Sequence, residues 1–76
     1  MPAFDYDVDA RGLNCPLPLL RLKKALITMS SGEVVRVIAT DPAAHLDFGV
    51  FAEQSGNRLL ESSKNGAQQV FYFQKK

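Results

Sequence analysis

The apolar residues of this chain change their spacing on either side of one short segment, residues 12–18. Before the segment, Phe4, Tyr6 and Val8 alternate with aspartates, and this period of two predicts a strand with one apolar face. After it, apolar side chains recur at every third or fourth position, which predicts an amphipathic helix. The residues on that helical face are Leu19, Leu22, Leu26 and Met29. A strand that leads directly into a helix favours a fold with a sheet layer and a helical layer.

Two prolines, Pro16 and Pro18, stand at the start of the predicted helix. The first N–H groups of a helix have no partner within it, so a proline there removes no hydrogen bond. We therefore predict that the helix begins at Pro16, with Cys15 as its N-cap. Gly32 predicts the end of the helix within residues 30–32.

A second strand and a second helix follow. Residues 33–39 are mostly apolar and β-branched, which predicts a strand in the interior of a sheet. Asp41 and Pro42 then supply the N-cap and the first residue of a helix. We expect this helix to run to about Ser55 and to stop at Gly56.

The rest of the chain predicts one irregularity and one hairpin. Gly49 lies inside the second helix, and because glycine disfavours a helix interior we expect an irregular turn there. Residues 58–63 and 68–74 read as two strands joined by a hairpin at Asn65-Gly66. The order β-α-β-α-β-β in so short a chain predicts a two-layer sandwich, with both helices on one face of the sheet.

Length and composition exclude several classes of function. The 76 residues suffice for one domain, residues 1–76, with a thin core and no deep substrate cavity. A formal net charge of +1 argues against direct nucleic-acid binding. The single cysteine excludes an internal disulfide and a zinc site made of several cysteines. We expect no metal and no cofactor, and we expect a monomer.

The sequence also bears on where the protein works. Its first residues lack the cationic and apolar runs of a secretory signal, and no apolar stretch is long enough to span a bilayer. We therefore expect a cytoplasmic protein without membrane contact. A free thiol stays reduced in that compartment.

Cys15 has two interpretations at this stage. As an N-cap, its sulfur would lie near the Leu17 N–H and the positive end of the helix dipole, and both predict a lowered pKa. A thiolate with no second cysteine in its chain reacts with other molecules, for example by taking the outer sulfur of a persulfide. In the other interpretation, Cys15 is a buried residue that only fills space in the core.

Residues 9–18, DARGLNCPLP, resemble the signature of the TusA/SirA family of small sulfur-carrier proteins. The matching positions are Asp9, Gly12, Cys15, Pro16 and Pro18. The likeness in length and element order extends over nearly the whole chain. It implies an α/β two-layer sandwich similar to the C-terminal domain of translation initiation factor three, with a mixed four-stranded sheet and two helices on one face.

The resemblance also implies a function. Cys15 would accept sulfane sulfur as a persulfide from a cysteine desulfurase or another sulfurtransferase. It would pass this sulfur to an acceptor protein for tRNA thiolation, cofactor assembly or sulfur metabolism. Whether such a sulfurtransferase-type relay makes the protein an enzyme stays open. A different class of function also stays open, in which the protein is a non-catalytic regulatory or protein-interaction module that uses the exposed face of the sandwich.

The charged residues near the motif have both structural and functional interpretations. Arg11, Arg21 and Lys24 form either a solvated surface or a set of cations that face a partner. Arg11 and Arg21 would favour the thiolate if they lay near the sulfur. Asp9 is predicted to cap the turn at Gly12 through its carboxylate.

Two segments depart from the family pattern. Residues 47–49 read Asp-Phe-Gly, where many members have Asp-Ile-Pro or Asp-Leu-Pro. Residues 56–57 read Gly-Asn, where the family often has Gly-His. Because both segments lie away from Cys15 in the sequence, we expect them to affect the choice of partner rather than the fold. Asp41 is predicted to act only as a helix cap.

Overall fold

The computed structural model describes residues 3–76 and contains six elements in the predicted order β-α-β-α-β-β. They are β1 (Tyr6–Ala10), α1 (Leu17–Thr28), β2 (Val34–Ala39), α2 (Ala44–Ser55), β3 (Arg58–Asn65) and β4 (Gln68–Gln74). Neither helix of the described residues has the length and apolar character needed to cross a membrane.

The four strands form one mixed sheet in the spatial order β1-β2-β4-β3. β1 and β2 are parallel, whereas β4 is antiparallel to both of its neighbours. Parallel neighbours need a crossover connection, and α1 provides it. β3 and β4 form the predicted hairpin, in which Asn65 pairs with Gln68 and Gly66 has a φ of 62°. The mixed sheet that the family resemblance implies is therefore present.

Both helices pack on the same face of the sheet, as predicted. Leu22 and Leu26 of α1 and Phe48 of α2 are buried in one cluster with the inward side chains of the strands. The Phe48 ring meets Phe71 edge-on, with centroids 4.6 Å apart, and Phe73 at 5.8 Å. Such edge-to-face pairs add to the stabilisation that burial alone provides. The two-layer sandwich is confirmed.

Phe4 lies on the other face of the sheet, so the prediction that it shares a face with Tyr6 and Val8 is wrong. β1 begins only at Tyr6, and Asp5 forms a bend in front of it. The Asp5 N–H donates to the Val34 carbonyl at 2.7 Å, and its carboxylate accepts from the Val34 N–H at 3.0 Å. This bend directs the Phe4 ring towards Tyr72, 6.1 Å away between centroids.

The first helix begins one residue later than predicted. Pro16 is the N-cap, and Cys15 lies outside the helix. The reason is a turn that precedes the helix, in which the Leu17 N–H donates to the Asn14 carbonyl at 2.8 Å. Pro18 occupies the first helical turn, where its missing N–H costs nothing. The prediction that Cys15 is the N-cap is therefore wrong by one position.

The second helix differs from the prediction at its start and in its middle. Asp41 is not the N-cap, since its carboxylate caps a turn in front of α2 and accepts from the Ala43 N–H at 3.0 Å. The irregular turn predicted near Phe48-Gly49 is wrong as well, because α2 continues through these residues. The neighbouring Phe48 is fully buried and anchors this part of the helix in the core. Gly56, with a φ of 79°, ends the helix as predicted.

Candidate functional site

Cys15 lies in the loop between β1 and α1, and the start of this loop depends on a glycine. Gly12 has a φ of 78°, a conformation that other residues adopt only at a cost. In this conformation its N–H donates to the Thr40 hydroxyl at 2.9 Å. Leu13 then donates to the Ala10 carbonyl at 3.3 Å. The loop is thereby attached to the end of β1 and to the residue that follows β2.

The Cys15 side chain is exposed, and its thiol and the backbone N–H of the residue each contact an aspartate. Its backbone N–H donates to Asp41 Oδ2 at 2.7 Å. Its Sγ lies 2.9 Å from Asp47 Oδ2, a distance at which the thiol donates to the carboxylate. The interpretation of Cys15 as a buried core residue is therefore wrong. The sulfur is open to solvent, and contacts on the backbone and on the side chain restrain it.

Asp41 connects the Cys15 loop to the rest of the fold. One carboxylate oxygen accepts from Cys15 and the other from Ala43. The Asp41 carbonyl accepts from the side chain of Gln69 in β4 at 2.7 Å. Gln69 is only 6% exposed, so this contact is made from a buried polar side chain. The interpretation of Asp41 as only a helix cap is wrong, because it also holds the backbone of the cysteine.

The acidic surroundings raise the pKa of the Cys15 thiol. The main cause is the hydrogen bond to Asp47, followed by desolvation and by the negative charges of Asp47 and Asp41. The prediction of a lowered pKa is therefore wrong. Two physical reasons explain the difference. Cys15 lies one residue before the N-cap, and a carboxylate accepts a hydrogen bond from the protonated thiol only.

Arg11 pairs with Asp9 instead of approaching the sulfur. Its guanidinium contacts both Asp9 carboxylate oxygens at 2.9 Å, and its backbone N–H donates to Oδ1 at 3.1 Å. These contacts, the side-chain hydrogen bond first among them, lower the pKa of Asp9 to about 2. Asp9 thus caps the turn through its carboxylate, as predicted. No arginine is among the charged groups that shift the pKa of Cys15.

The remaining predicted site residues lie around the motif. Pro18 is buried in the first turn of α1, whereas Pro16 is exposed beside Cys15. Arg21 and Lys24 are exposed on α1 and line an open surface depression that includes Asp7 and Asp9 of β1. Cys15 does not line this depression. The structure therefore places these two cations on a surface separate from the immediate surroundings of the sulfur.

Four large apolar side chains are exposed on the first two turns of the two helices. Leu17 and Leu20 belong to α1, which begins beside Cys15. Leu46 and Val50 belong to α2, on either side of Asp47 in the sequence. Leu46 is 63% exposed. Exposed apolar groups beside a reactive side chain are typical of a surface that contacts another protein.

Sequence reasoning missed Asp47, which contacts the sulfur. The signal that would have found it is topological. β1 and β2 are parallel neighbours, so the segments that follow them emerge at the same edge of the sheet. Cys15 follows β1 and Asp47 follows β2, although the two residues are 32 positions apart. Within residues 3–76 no three side chains of the metal-ligating types are grouped closely enough to hold a metal ion.

Comparison with known proteins assigns the chain to a family. Residues 6–75 match the family described as Sulfurtransferase TusA. The chain belongs to this family. A sulfur carrier protein TusA from Allochromatium vinosum is 55% identical over 75 residues, which is 99% of each chain. A putative sulfur carrier protein from Neisseria meningitidis serogroup A is 51% identical over 57 residues, 75% of this chain and 77% of that protein.

A solved structure supports the same conclusion for the fold. The crystal structure of a SirA-like protein from Desulfitobacterium hafniense superposes with a TM-score of 0.80 at 28% sequence identity. The match covers 92% of this chain and 96% of the other. The family resemblance and the fold predicted from the sequence are both confirmed. Family membership supports a sulfur-carrier role that involves sulfur donor and acceptor proteins.

Proposed function

We propose that Cys15 carries sulfane sulfur as a persulfide. It receives the sulfur from a cysteine desulfurase or another sulfurtransferase and passes it to an acceptor protein. The observation that carries this proposal is the exposed Cys15 thiol, held on its backbone side by Asp41 and on its sulfur by Asp47. A carrier needs its sulfur to be accessible to two partners in turn and to stay in one place.

The transfer balances without an oxidant or a cofactor. The Cys15 sulfur attacks the outer sulfur of the donor's persulfide, and the S–S bond of that persulfide breaks. The donor's inner sulfur leaves with the electron pair and takes up the proton that Cys15 gave up. The products are a Cys15 persulfide and a donor thiol. Attack of an acceptor thiolate on the outer sulfur of Cys15 repeats the exchange in the second step.

The motif residues support this role through the backbone. Gly12 adopts the left-handed conformation that turns the chain towards the Cys15 loop. Pro16 and Pro18 fix φ at the start of α1 and so restrict fraying next to the sulfur. Asp9 neutralises Arg11 and caps the turn. We assign these four residues a positioning role and keep Cys15 as the catalytic residue.

The surface around the sulfur supports protein partners rather than small substrates. Leu17, Leu20, Leu46 and Val50 are exposed apolar side chains at this end of the molecule. Exposed apolar side chains on the helices that flank a reactive group suit a transient interface with another protein. Arg21 and Lys24 lie on a separate exposed surface of α1, and we propose them as a second, positively charged region that contacts the partner. We propose that residues 1–76 form one carrier domain and that the protein works in the cytoplasm. The acceptor protein would act in tRNA thiolation, cofactor assembly or sulfur metabolism.

The test is to incubate the protein with a cysteine desulfurase and cysteine and to measure its intact mass. We expect the wild type to gain one sulfur atom, which a reductant removes. Cys15→Ser should gain none, because its hydroxyl cannot form a persulfide. Equal gain by both proteins would contradict the proposal. Full function of Cys15→Ala in cells would instead support the alternative, a regulatory or interaction module that uses the exposed face.

A further inference from the structure

Two carboxylates meet the sulfur-carrying loop without a cation between them. Asp47 contacts Sγ of Cys15, and Asp41 contacts its backbone N–H. The ion pairs present within residues 3–76 are Asp9–Arg11 and Asp7–Arg36, so neither of the two carboxylates takes part in one. The thiol therefore lies next to two negative charges that the protein itself does not neutralise.

The contact between Cys15 and Asp47 requires a proton. A thiolate and a carboxylate at 2.9 Å would repel each other, whereas a thiol donates a hydrogen bond at that distance. The thiolate, not the thiol, is the nucleophile in sulfur exchange. The geometry thus holds the sulfur in its less reactive form while the protein is free.

A partner that forms an ion pair with the Asp47 carboxylate would remove this restraint on the thiol. An ammonium or guanidinium group placed against Asp47 would pair with it and withdraw it from the thiol. Leu46 and Val50, exposed on either side of Asp47, would be covered by the same partner. A charge pair in such partly dehydrated surroundings is stronger than one in open water. The thiol could then give up its proton.

We propose that Asp47 holds Cys15 as the unreactive thiol in the free protein, and that the sulfur donor releases it by placing a lysine or arginine side chain against Asp47. This inference rests on the proposed sulfur-carrier function. The bonds that form and break are those of the exchange described above. The Cys15 proton ends on the donor's inner sulfur, so no further reactant is needed.

The other charged groups near the loop do not provide this cation. Arg11 is held by Asp9. Arg21 and Lys24 line the depression beside β1, which does not include Cys15. His45 lines a different cavity, and its Nδ1 lies 3.0 Å from the Pro42 carbonyl. The charged groups that raise the pKa of the Cys15 thiol are Asp47 of α2 and Asp41 in front of it.

The first test measures the alkylation of Cys15 by iodoacetamide, a neutral probe, as a function of pH. We expect Asp47→Asn to shift the profile to lower pH and to react several-fold faster at neutral pH. Glu53→Gln is the matched control, since it removes an exposed carboxylate from the same helix. Its profile should coincide with that of the wild type. Identical profiles for Asp47→Asn and the wild type would overturn the proposal.

The second test uses small disulfides of opposite charge at low salt. Cystamine carries two ammonium groups, and dithiodiglycolic acid carries two carboxylates. Because the thiols that leave these two reagents differ in pKa, each rate is divided by the rate of a small free thiol with the same reagent. We expect this normalised preference for cystamine to be several-fold in the wild type and in Glu53→Gln, and to fall in Asp47→Asn and at high salt. No normalised preference in the wild type, or an unchanged normalised preference in Asp47→Asn, would contradict the proposal.

Controls separate this inference from the sulfur-carrier proposal. Circular dichroism is used to check that each variant is folded. If Asp47→Asn does not fold, Asp47→Ala replaces it in both tests. Neither test uses a persulfide, so both succeed or fail independently of sulfur loading. A protein that shows both Asp47 effects but gains no sulfur from a desulfurase would contradict the proposed function alone. Sulfur loading with no Asp47 effect would overturn this inference alone.

Discussion

At the scale of single residues, the polar contacts of Cys15 come from aspartates that follow β2. Asp41 holds the backbone of the cysteine, and Asp47 holds its sulfur. Both contacts use carboxylates, which accept hydrogen bonds more strongly than neutral groups do. The side chain is therefore exposed and restrained at the same time, as transfer between two partners requires.

Replacing Asp41 by alanine removes the acceptor of two backbone N–H groups, those of Cys15 and Ala43. We expect Asp41→Ala to lower the free energy of unfolding by about 1–3 kcal/mol. Asp41→Asn keeps one acceptor oxygen and should lose less. Urea unfolding measures both variants. An unchanged stability of Asp41→Ala would show that these hydrogen bonds do not hold the loop.

The raised pKa of Cys15 predicts a dependence of stability on pH. The pKa of Cys15 is higher in the folded protein than in the unfolded chain. The hydrogen bond from the thiol to Asp47 therefore contributes its full stabilisation at pH values below the ordinary cysteine pKa. This contribution is lost as the pH rises through the folded pKa. We expect the wild type to be more stable than Cys15→Ala at neutral pH and to lose this advantage at strongly alkaline pH. Urea unfolding at several pH values tests the sign, and an advantage that grows with pH would contradict it.

Gly12 provides a test of backbone conformation. A Cβ at this position would meet no atom within 4 Å, so only the φ of 78° opposes substitution. We expect Gly12→Ala to reduce the free energy of unfolding by about 1–2 kcal/mol, the cost of a left-handed conformation. The measurement is again urea unfolding. A neutral effect would mean that the loop relaxes to another conformation.

At the scale of elements, the order and type of every helix and strand could be predicted from the sequence. Hydrophobic period and turn residues are local signals, and they are strong here. The ends of the helices were less predictable, because contacts outside the helix decide them. The Asn14 carbonyl engages Leu17 before α1 begins, and Asp41 caps a turn before α2. Phe4 was misplaced for a similar reason, since the bend at Asp5 depends on β2.

Gly49 is the clearest case in which packing outweighs local preference. The sequence predicted an irregular turn, yet α2 runs through this residue with Phe48 buried beside it. A Cβ at Gly49 would meet nothing within 4 Å. We therefore expect Gly49→Ala to raise the free energy of unfolding by about 0.5–1 kcal/mol, because alanine favours a helix interior. Gly12→Ala is the matched comparison, because its predicted change in the free energy of unfolding has the opposite sign. Destabilisation by Gly49→Ala would contradict the prediction.

At the scale of the whole molecule, topology creates the site. Parallel pairing of β1 and β2 brings the segments that follow them to one edge of the sheet. The motif around Cys15 could be predicted because it is contiguous in sequence. Asp47 could not be found from local pattern, since its contact with Cys15 spans 32 positions and exists only in the folded sheet. The raised pKa of Cys15 was missed for the same reason.

The same topology leaves the sulfur exposed to solvent at the edge of the sheet where β1 and β2 end. Access from outside suits a protein that passes sulfur from one partner to the next.

The most direct test of this account is a pulse-chase of heavy-isotope sulfur, followed by intact mass spectrometry. The protein is loaded by a desulfurase with labelled cysteine, separated from it, and mixed with cyanide as a chemical acceptor. We predict that the label first resides on Cys15 and then leaves quantitatively as thiocyanate, while Cys15→Ser transfers none. Label that never enters the protein, or that passes equally well through Cys15→Ser, would contradict the account.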